Sequence, residues 1–128
     1  MIQAPKDGTV FAEEPKAGRY ILPFAPELVQ FIKDKQKAVT YRFGDKYDYL
    51  QIGDEVQIQD VDAKEMIGRA KLTNKSWTTF KDLPLDGVGH EAYRDKEHQR
   101  HILEGYYAYT GKPVEDDSAF LVLEFRLI

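Results

Sequence analysis

The chain has 128 residues, of which 31% are charged, with a formal net charge of -4. This is the size of one domain, and the charge argues against a protein that coats nucleic acid non-specifically, although it leaves room for a local basic cleft. The chain has no cysteine, which excludes disulfides, thiol catalysis and cysteine-ligated zinc. We find neither a long apolar run nor a signal-peptide pattern, so we expect a cytoplasmic protein without membrane association.

The first elements follow a polar segment. Residues 1–19 contain prolines and glycines and show no period, so we predict an N-terminal arm or extension outside a domain of residues 20–128. A short strand over 20–22 is expected to end at the following proline. Pro26 suits the first position of a helix, which should end in the charged run 33–37. The apolar stripe expected on this helix is Leu28, Val29, Phe31 and Ile32.

The next segment, 38–43, alternates between two kinds of side chain. Val39, Tyr41 and Phe43 share one face of the predicted strand, which should face the core. Ala38, Thr40 and Arg42 share the other face. We therefore predict a half-exposed strand that places a hydroxyl and a guanidinium side by side, outside the core.

The remaining elements define the fold class. We predict strands over 55–59, 66–77 and 119–128, a short helix or turn over 79–83 and a helix over 95–110. Gly68 marks a bulge or a bend within its strand. The last strand is so apolar that it should lie inside the sheet. This order predicts an α+β fold, a small mixed β-barrel of about five or six strands with two main helices.

At this point the chain resembles the ASCH domain family, whose fold is PUA-like. The resemblance rests on the run 37–42 after a helix, Gly53-Asp54 before an apolar strand, the segment 79–83, Tyr106-Tyr107 and the closing strand. The common signature of the family is a glycine, one residue, a lysine, two residues, an acidic residue, one residue and an arginine. Lys37 and Arg42 match it, whereas Lys35 replaces the glycine and Thr40 replaces the acidic residue.

With a threonine at this position, the chain is similar to the bacterial N4-acetylcytidine amidohydrolases, a branch of this family. That resemblance implies Lys37, Thr40 and a later glutamate as the catalytic set. Glu91 stands at the matching distance before the tyrosine near the end of the last helix. The implied partner is a modified nucleoside or short single-stranded RNA, with no cofactor, and the oligomeric state is left open. The alternative is a non-catalytic RNA-binding module, or a ribonuclease, that uses the same basic cleft.

The residues themselves allow this chemistry but do not require it. Thr40 can attack an acyl carbon only if a base takes its proton, and Lys37 can serve as that base only if burial or a nearby cation such as Arg42 lowers its pKa. Glu91 can protonate the leaving amine or orient a water, and Arg42 can hold an oxyanion or a phosphate. The competing interpretation is that all four side chains are simply solvated.

Two further groups are candidates for binding. Tyr47 and Tyr49 lie in a polar loop, where they can stack on a base or cover the end of the barrel. His98 and His101 share a helix face near Glu97 and His90, which is a pattern that can hold zinc. Because this helix is densely charged and we expect it to be solvated, we predict no bound metal.

Overall fold

The computed structural model describes residues 20–128, so the predicted arm over residues 1–19 lies outside the described residues. The strands are β1 (Ile21–Phe24), β2 (Val39–Phe43), β3 (Glu55–Asp60), β4 (Glu65–Thr79) and β5 (Ala119–Leu127). The helices are α1 (Pro26–Lys33) and α2 (Lys96–Tyr106), with short 3-10 turns at Phe80–Asp82 and Ala108–Thr110. The predicted α+β fold with two main helices is confirmed.

The strands form one sheet in the order β1-β3-β4-β5-β2. β1 runs parallel to β3, and all other neighbours are antiparallel. β5 lies inside the sheet, as its apolar sequence predicted. Ile67, beside Gly68, and Thr73 are extra residues that shift the register of β4, and such bulges bend a sheet. The sheet is accordingly a curled half-barrel.

Two apolar clusters lie on opposite faces of β5. The larger one contains Leu121, Leu123 and Phe125 from this strand, with side chains from β1, α1, β3 and β4. The smaller one contains Phe120 and packs β2 against α2. The two faces alternate along β5 because successive side chains of a strand point in opposite directions. Both faces are therefore covered.

β2 departs from the predicted half-exposed strand. Tyr41 and Phe43 belong to the smaller cluster, as the alternation predicted. Thr40 and Arg42, however, are also buried, with only 4% and 8% of their surfaces exposed. They pair with Leu123 and Leu121 of β5, so they face the side of the sheet that carries the larger cluster. The hydroxyl of Thr40 and the guanidinium of Arg42 are therefore in the interior of the protein and not in solvent.

The first strand and helix also differ from prediction. β1 continues through Pro23, which is tolerated because β1 is an edge strand. α1 ends at Lys33, within the predicted charged run, but Phe31 is 43% exposed instead of buried. With only eight residues, α1 buries Ile32 fully and leaves Phe31 outside the contact. α2 ends four residues before its predicted limit and continues as a 3-10 turn.

Within the described residues, no helix has the length and apolarity needed to cross a membrane.

Candidate active site

A cavity of about 250 Å³ lies beside β2. Its walls come from β1, β2, the loop that follows β2, the loop that contains residues 90–93 and the end of α2. The wall is strongly aromatic, with contributions from Phe24, Tyr41, Tyr47, Tyr93, Tyr106 and Tyr107. Apart from the tyrosine hydroxyls, the polar residues that line it are few, namely Lys37, Thr40, Arg42, Lys46, His90 and Glu91. An apolar pocket with a few converging polar groups is the usual form of a small-molecule site.

Lys37 is the deepest of the charged groups. Its side chain is 2% exposed, and its Nζ donates hydrogen bonds of 2.8 Å to Oε2 of Glu91 and of 2.8 Å to the carbonyl oxygen of Val39. Burial lowers the pKa of Lys37 to about 8, with Glu91 opposing this shift and Arg42 adding to it. The amine is therefore much closer to its neutral, basic form near pH 7 than an exposed lysine would be.

Thr40 and Arg42 form a second unit on the same face of β2. Nε of Arg42 donates a hydrogen bond of 3.0 Å to Oγ1 of Thr40, and Nη2 donates one of 2.9 Å to the carbonyl oxygen of Pro23. The guanidinium also lies over the rings of Phe24 and Tyr47, at 4.6 and 5.2 Å from their centroids. Arg42 is thus fixed, and it occupies one lone pair of Thr40 while leaving the hydroxyl proton free to be donated.

Glu91 reaches the cavity because the backbone of its loop is fastened to β2. The carbonyl oxygen of Gly89 accepts hydrogen bonds from the amides of Ala38, at 2.7 Å, and Val39, at 3.1 Å. Gly89 has a φ of +79°, in the left-handed region that glycine adopts without steric cost. Two residues later, the carboxylate of Glu91 meets Lys37. The loop position is therefore set by backbone contacts to the strand that carries Thr40.

His90 packs behind this pair as a neutral ring. It stacks on Tyr41 with ring centroids 3.9 Å apart and an interplanar angle of 9°. Burial first, and then the charge of Lys37, lowers the pKa of His90 to about 4. In the neutral ring Nδ1 carries the proton and donates to the carbonyl oxygen of Glu91 at 3.0 Å. Nε2 lies 3.5 Å from Oε1 of Glu91 and, being unprotonated, donates no hydrogen bond to it.

Comparison with solved structures identifies the architecture. The ASCH domain from Lactobacillus crispatus aligns with a TM-score of 0.59 and 17% identity over 79% of this chain and 70% of that one. A DUF984 protein from Enterococcus faecalis aligns with a TM-score of 0.64 and 14% identity, over 80% of this chain and 67% of that one. A mutant ASCH protein from Zymomonas mobilis aligns with a TM-score of 0.57 and 19% identity, over 83% of this chain and 66% of that one. This chain has the ASCH-domain fold. No protein-family model and no curated protein matches its sequence.

The turn at the end of α1 contains Lys35, which stands at the position of the signature glycine. Lys35 has a φ of +61°, in the left-handed region. The turn it makes ends α1, and the amides of Gln36 and Lys37 both donate to the carbonyl oxygen of Phe31. The chain thus makes, with a lysine, the turn that glycine would make without strain. That turn delivers Lys37 to the cavity.

Within this ASCH fold, five of the six residues that the sequence singled out for catalysis or binding line one cavity. They are Lys37, Thr40, Arg42, Tyr47 and Glu91. Tyr49 is not among the residues that line it. Its ring packs against the larger apolar cluster and lies edge-on to Tyr20, with centroids 6.4 Å apart. Tyr49 therefore takes the covering position that the sequence left open.

Sequence reasoning did not assign Tyr41, His90 and Tyr93 to the cavity. Tyr41 was placed in the core from its alternation, and it does pack there, but it also lines the cavity. His90 was considered only as part of a zinc pattern. The signal that was available is the spacing of His90, Glu91 and Tyr93 within four residues of one loop.

The histidines of α2 are not assembled into a metal site. Within residues 20–128 there is no group of three or more histidine, cysteine or acidic side chains that could hold a metal ion. Nδ1 of His98 accepts a hydrogen bond of 3.1 Å from the amide of Arg94, and His101 is exposed. His90 lines the cavity, and its ring and that of His98 both contact the ring of Tyr93.

Proposed function

We propose that this ASCH-type domain is an amide hydrolase that removes the acetyl group from N4-acetylcytidine and releases cytidine and acetate. The observation that carries the proposal is the buried ion pair of Lys37 and Glu91 at the cavity that Thr40 also lines. A base with a lowered pKa, a hydroxyl and a carboxylate are the groups that amide hydrolysis by a covalent route requires.

The first half of the reaction forms an acetyl-enzyme. The neutral amine of Lys37 takes the proton of the Thr40 hydroxyl while Oγ1 attacks the acetyl carbon. Arg42, which is fixed by Pro23, lies next to Oγ1 and is placed to stabilise the negative charge that develops on the acetyl oxygen. The carbon-nitrogen bond then breaks, and the electron pair goes to N4 of the base.

The proton taken from Thr40 supplies the leaving amine. It passes from Lys37 along the 2.8 Å hydrogen bond to Glu91, and Glu91 donates it to N4. In the second half, water attacks the ester on Thr40, Lys37 takes the proton of the water, and Oγ1 leaves with a proton returned from Lys37. The product is acetic acid, which loses its remaining proton to solvent as acetate, and every group of the enzyme regains its starting proton.

The walls of the cavity suit a nucleoside. Tyr41, Tyr47 and Tyr107 contribute aromatic side chains to these walls, and aromatic side chains are the groups on which bases stack irrespective of sequence. The volume of about 250 Å³ is slightly below the range of about 300 to 1,000 Å³ that is typical of pockets enclosing drug-sized molecules. A single nucleoside is therefore a better match for the cavity than a folded RNA.

One observation favours the alternative function, an RNA-binding module or a ribonuclease. At the rim of the cavity Tyr109 is 68% exposed, and Nζ of Lys46 lies 5.3 Å from the centroid of its ring. An exposed aromatic ring beside a cation is the usual element of single-strand binding sites. Lys37 and Arg42, by contrast, are committed to Glu91, Pro23 and Thr40, which makes them poor ligands for an RNA backbone.

The two functions are separated by incubating the purified protein with N4-acetylcytidine and following cytidine by chromatography. We expect release of cytidine at a rate well above that without protein. In parallel, binding of a labelled single-stranded RNA is titrated at two salt concentrations, because phosphate contacts weaken steeply with salt. Tight, salt-sensitive RNA binding without cytidine release would replace the hydrolase with the binding module. Cleavage of the RNA that is lost on Lys37→Met would identify a ribonuclease.

A further inference from the structure

Tyr93 has a buried hydroxyl that the fold does not use. Its side chain lines the cavity, and only 7% of the residue is exposed. In the part of the chain that the structure describes, its hydroxyl is the buried side-chain polar group without a hydrogen-bond partner. Tyr107 lines the same cavity, but its hydroxyl donates a hydrogen bond of 2.8 Å to the carbonyl oxygen of Tyr41. The two tyrosines therefore differ in what their hydroxyls contact.

The position of Tyr93 is fixed by its surroundings. Its amide donates a hydrogen bond of 2.7 Å to the carbonyl oxygen of Leu85. Its ring is flanked by those of His90 and His98, with centroids 5.8 and 5.9 Å away. A ring held in this way cannot swing its hydroxyl out to solvent without breaking these contacts. The unpaired hydroxyl thus belongs to a residue that these contacts hold in the cavity wall.

Buried polar groups in folded proteins are nearly always paired, so an unpaired group calls for an explanation, such as a bound water or ion or a role in chemistry. At the wall of a cavity, a bound ligand can supply the missing partner. The hydroxyl also keeps its proton. Burial first, and then the charge of Glu91, raises the pKa of Tyr93 well above its usual range. It is therefore available as a hydrogen-bond donor to a neutral acceptor, and a carbonyl oxygen is the acceptor that an acylated pyrimidine nucleoside supplies.

We propose that the hydroxyl of Tyr93 binds the ligand of this cavity by donating a hydrogen bond to a carbonyl oxygen of the base or of its acyl group. The identity of the ligand rests on the function proposed above. Tyr93 then selects for bases that carry such an oxygen, in addition to the stacking that the other aromatic residues provide. A ligand without the oxygen would leave the hydroxyl unpaired, which is how a site rejects close analogues.

The first test is stability, which separates a ligand-binding hydroxyl from a structural one. Tyr93→Phe removes the hydroxyl and keeps the ring, so its melting temperature should equal or exceed that of the wild type. Tyr107→Phe removes a hydroxyl that has a protein partner, so it should melt at a lower temperature. If Tyr93→Phe loses as much stability as Tyr107→Phe, the hydroxyl has a structural partner and the proposal is wrong.

The second test is binding, measured by calorimetry in a Thr40→Val background so that the ligand is not consumed. We expect Tyr93→Phe to weaken binding by roughly 5- to 100-fold, the range for a lost buried hydrogen bond. Weaker binding of both cytidine and N4-acetylcytidine assigns the contact to the ring carbonyl. An effect on N4-acetylcytidine alone assigns it to the acetyl oxygen.

Unchanged affinities for both nucleosides would overturn the proposal, as would a protein that binds neither of them with or without the Tyr93 hydroxyl. The outcome for the proposed hydrolase is read separately, from cytidine release by the wild type. Binding that depends on Tyr93 in a protein without turnover would reject the hydrolase and keep the assignment of Tyr93.

Discussion

Nζ of Lys37 lies 2.8 Å from Oε2 of Glu91, although the two residues are 54 positions apart in the sequence. Lys37 is 2% exposed and Glu91 22%, so the pair sits at the border between the interior and the cavity. Burying an ammonium ion costs free energy that a single carboxylate only partly offsets. The fold keeps this arrangement where Thr40 faces the same cavity, which is the basis of the chemistry we propose.

Glu91→Gln is expected to lower the free energy of unfolding at pH 7 by roughly 1 to 3 kcal/mol, because it leaves the buried ammonium of Lys37 without its counter-charge. The partial exposure of Glu91 places the loss below that of a fully buried pair. Urea denaturation measures it. The double variant Lys37→Met, Glu91→Gln is the control and should recover most of the loss. A single variant as stable as the wild type would show that the pair is unimportant for folding.

The rate of hydrolysis should depend on the protonation of Lys37. Its pKa is lowered to about 8, so the fraction in the free-base form rises as the pH rises through that value. Between pH 7 and 9 this fraction, and with it kcat/KM, should increase by roughly tenfold. Thr40→Val, which lacks the hydroxyl, corrects for hydrolysis by hydroxide alone. A corrected rate that is flat or falls over this range would remove Lys37 from the role of base.

His90 should make the protein sensitive to acid. The pKa of its ring is lowered from the usual 6.5 to about 4 in the folded state. As the pH falls from 6.5 to 4, the unfolded chain therefore takes up a proton that the folded chain refuses, and stability is lost. The full effect is about 3 kcal/mol. We expect His90→Gln to lose less unfolding free energy between pH 7 and 4.5 than the wild type. His101→Gln, at an exposed site, should behave like the wild type, and equal losses in all three proteins would contradict this account.

Lys35→Gly is expected to stabilise the protein. The left-handed φ of +61° costs a residue with a side chain about 1 kcal/mol, whereas glycine adopts it freely. Part of this gain is lost to the greater freedom of glycine in the unfolded chain, so a net gain of roughly 0.5 kcal/mol is expected. Gln30→Gly, at an exposed position inside α1, should destabilise instead. Thermal denaturation that ranks the two variants in the opposite order would show that the turn is unstrained.

The sequence predicted the scaffold better than it predicted exposure. The alternation of 38–43 correctly assigned the sides of β2, because side chains on a strand must alternate. It could not show that the side with Thr40 and Arg42 is covered as well. That cover comes from β1 and the loops around the cavity, which approach β2 only in the folded sheet. A charged residue on an alternating strand is ordinarily solvated, and here the hydrogen bond from Arg42 to Pro23 replaces the solvent.

Glu91 and Tyr93 illustrate the other limit. The resemblance to the amidohydrolase branch predicted that Glu91 belongs to the site, but no local sequence pattern predicts that its loop packs against β2. This packing depends on the carbonyl oxygen of Gly89 accepting two amides from a strand about 50 residues earlier in the chain. Such long-range backbone contacts leave no periodic trace in a sequence. The unpaired hydroxyl of Tyr93 could be found only by accounting for each buried polar group in the folded chain.

The measurement that tests the central claim most directly is the rate of cytidine release from N4-acetylcytidine by Thr40→Val compared with the wild type. Valine matches the shape of threonine, but it removes the acceptor of the hydrogen bond from Arg42 together with the attacking hydroxyl. Circular dichroism and melting curves therefore have to show that the variant is folded before its rate is compared. Loss of a nucleophile from a concerted set commonly costs several orders of magnitude in rate. We therefore predict turnover by the wild type and a loss of at least about a thousandfold in the variant. A folded Thr40→Val protein that releases cytidine at the wild-type rate, or a wild type that releases none, would contradict the account.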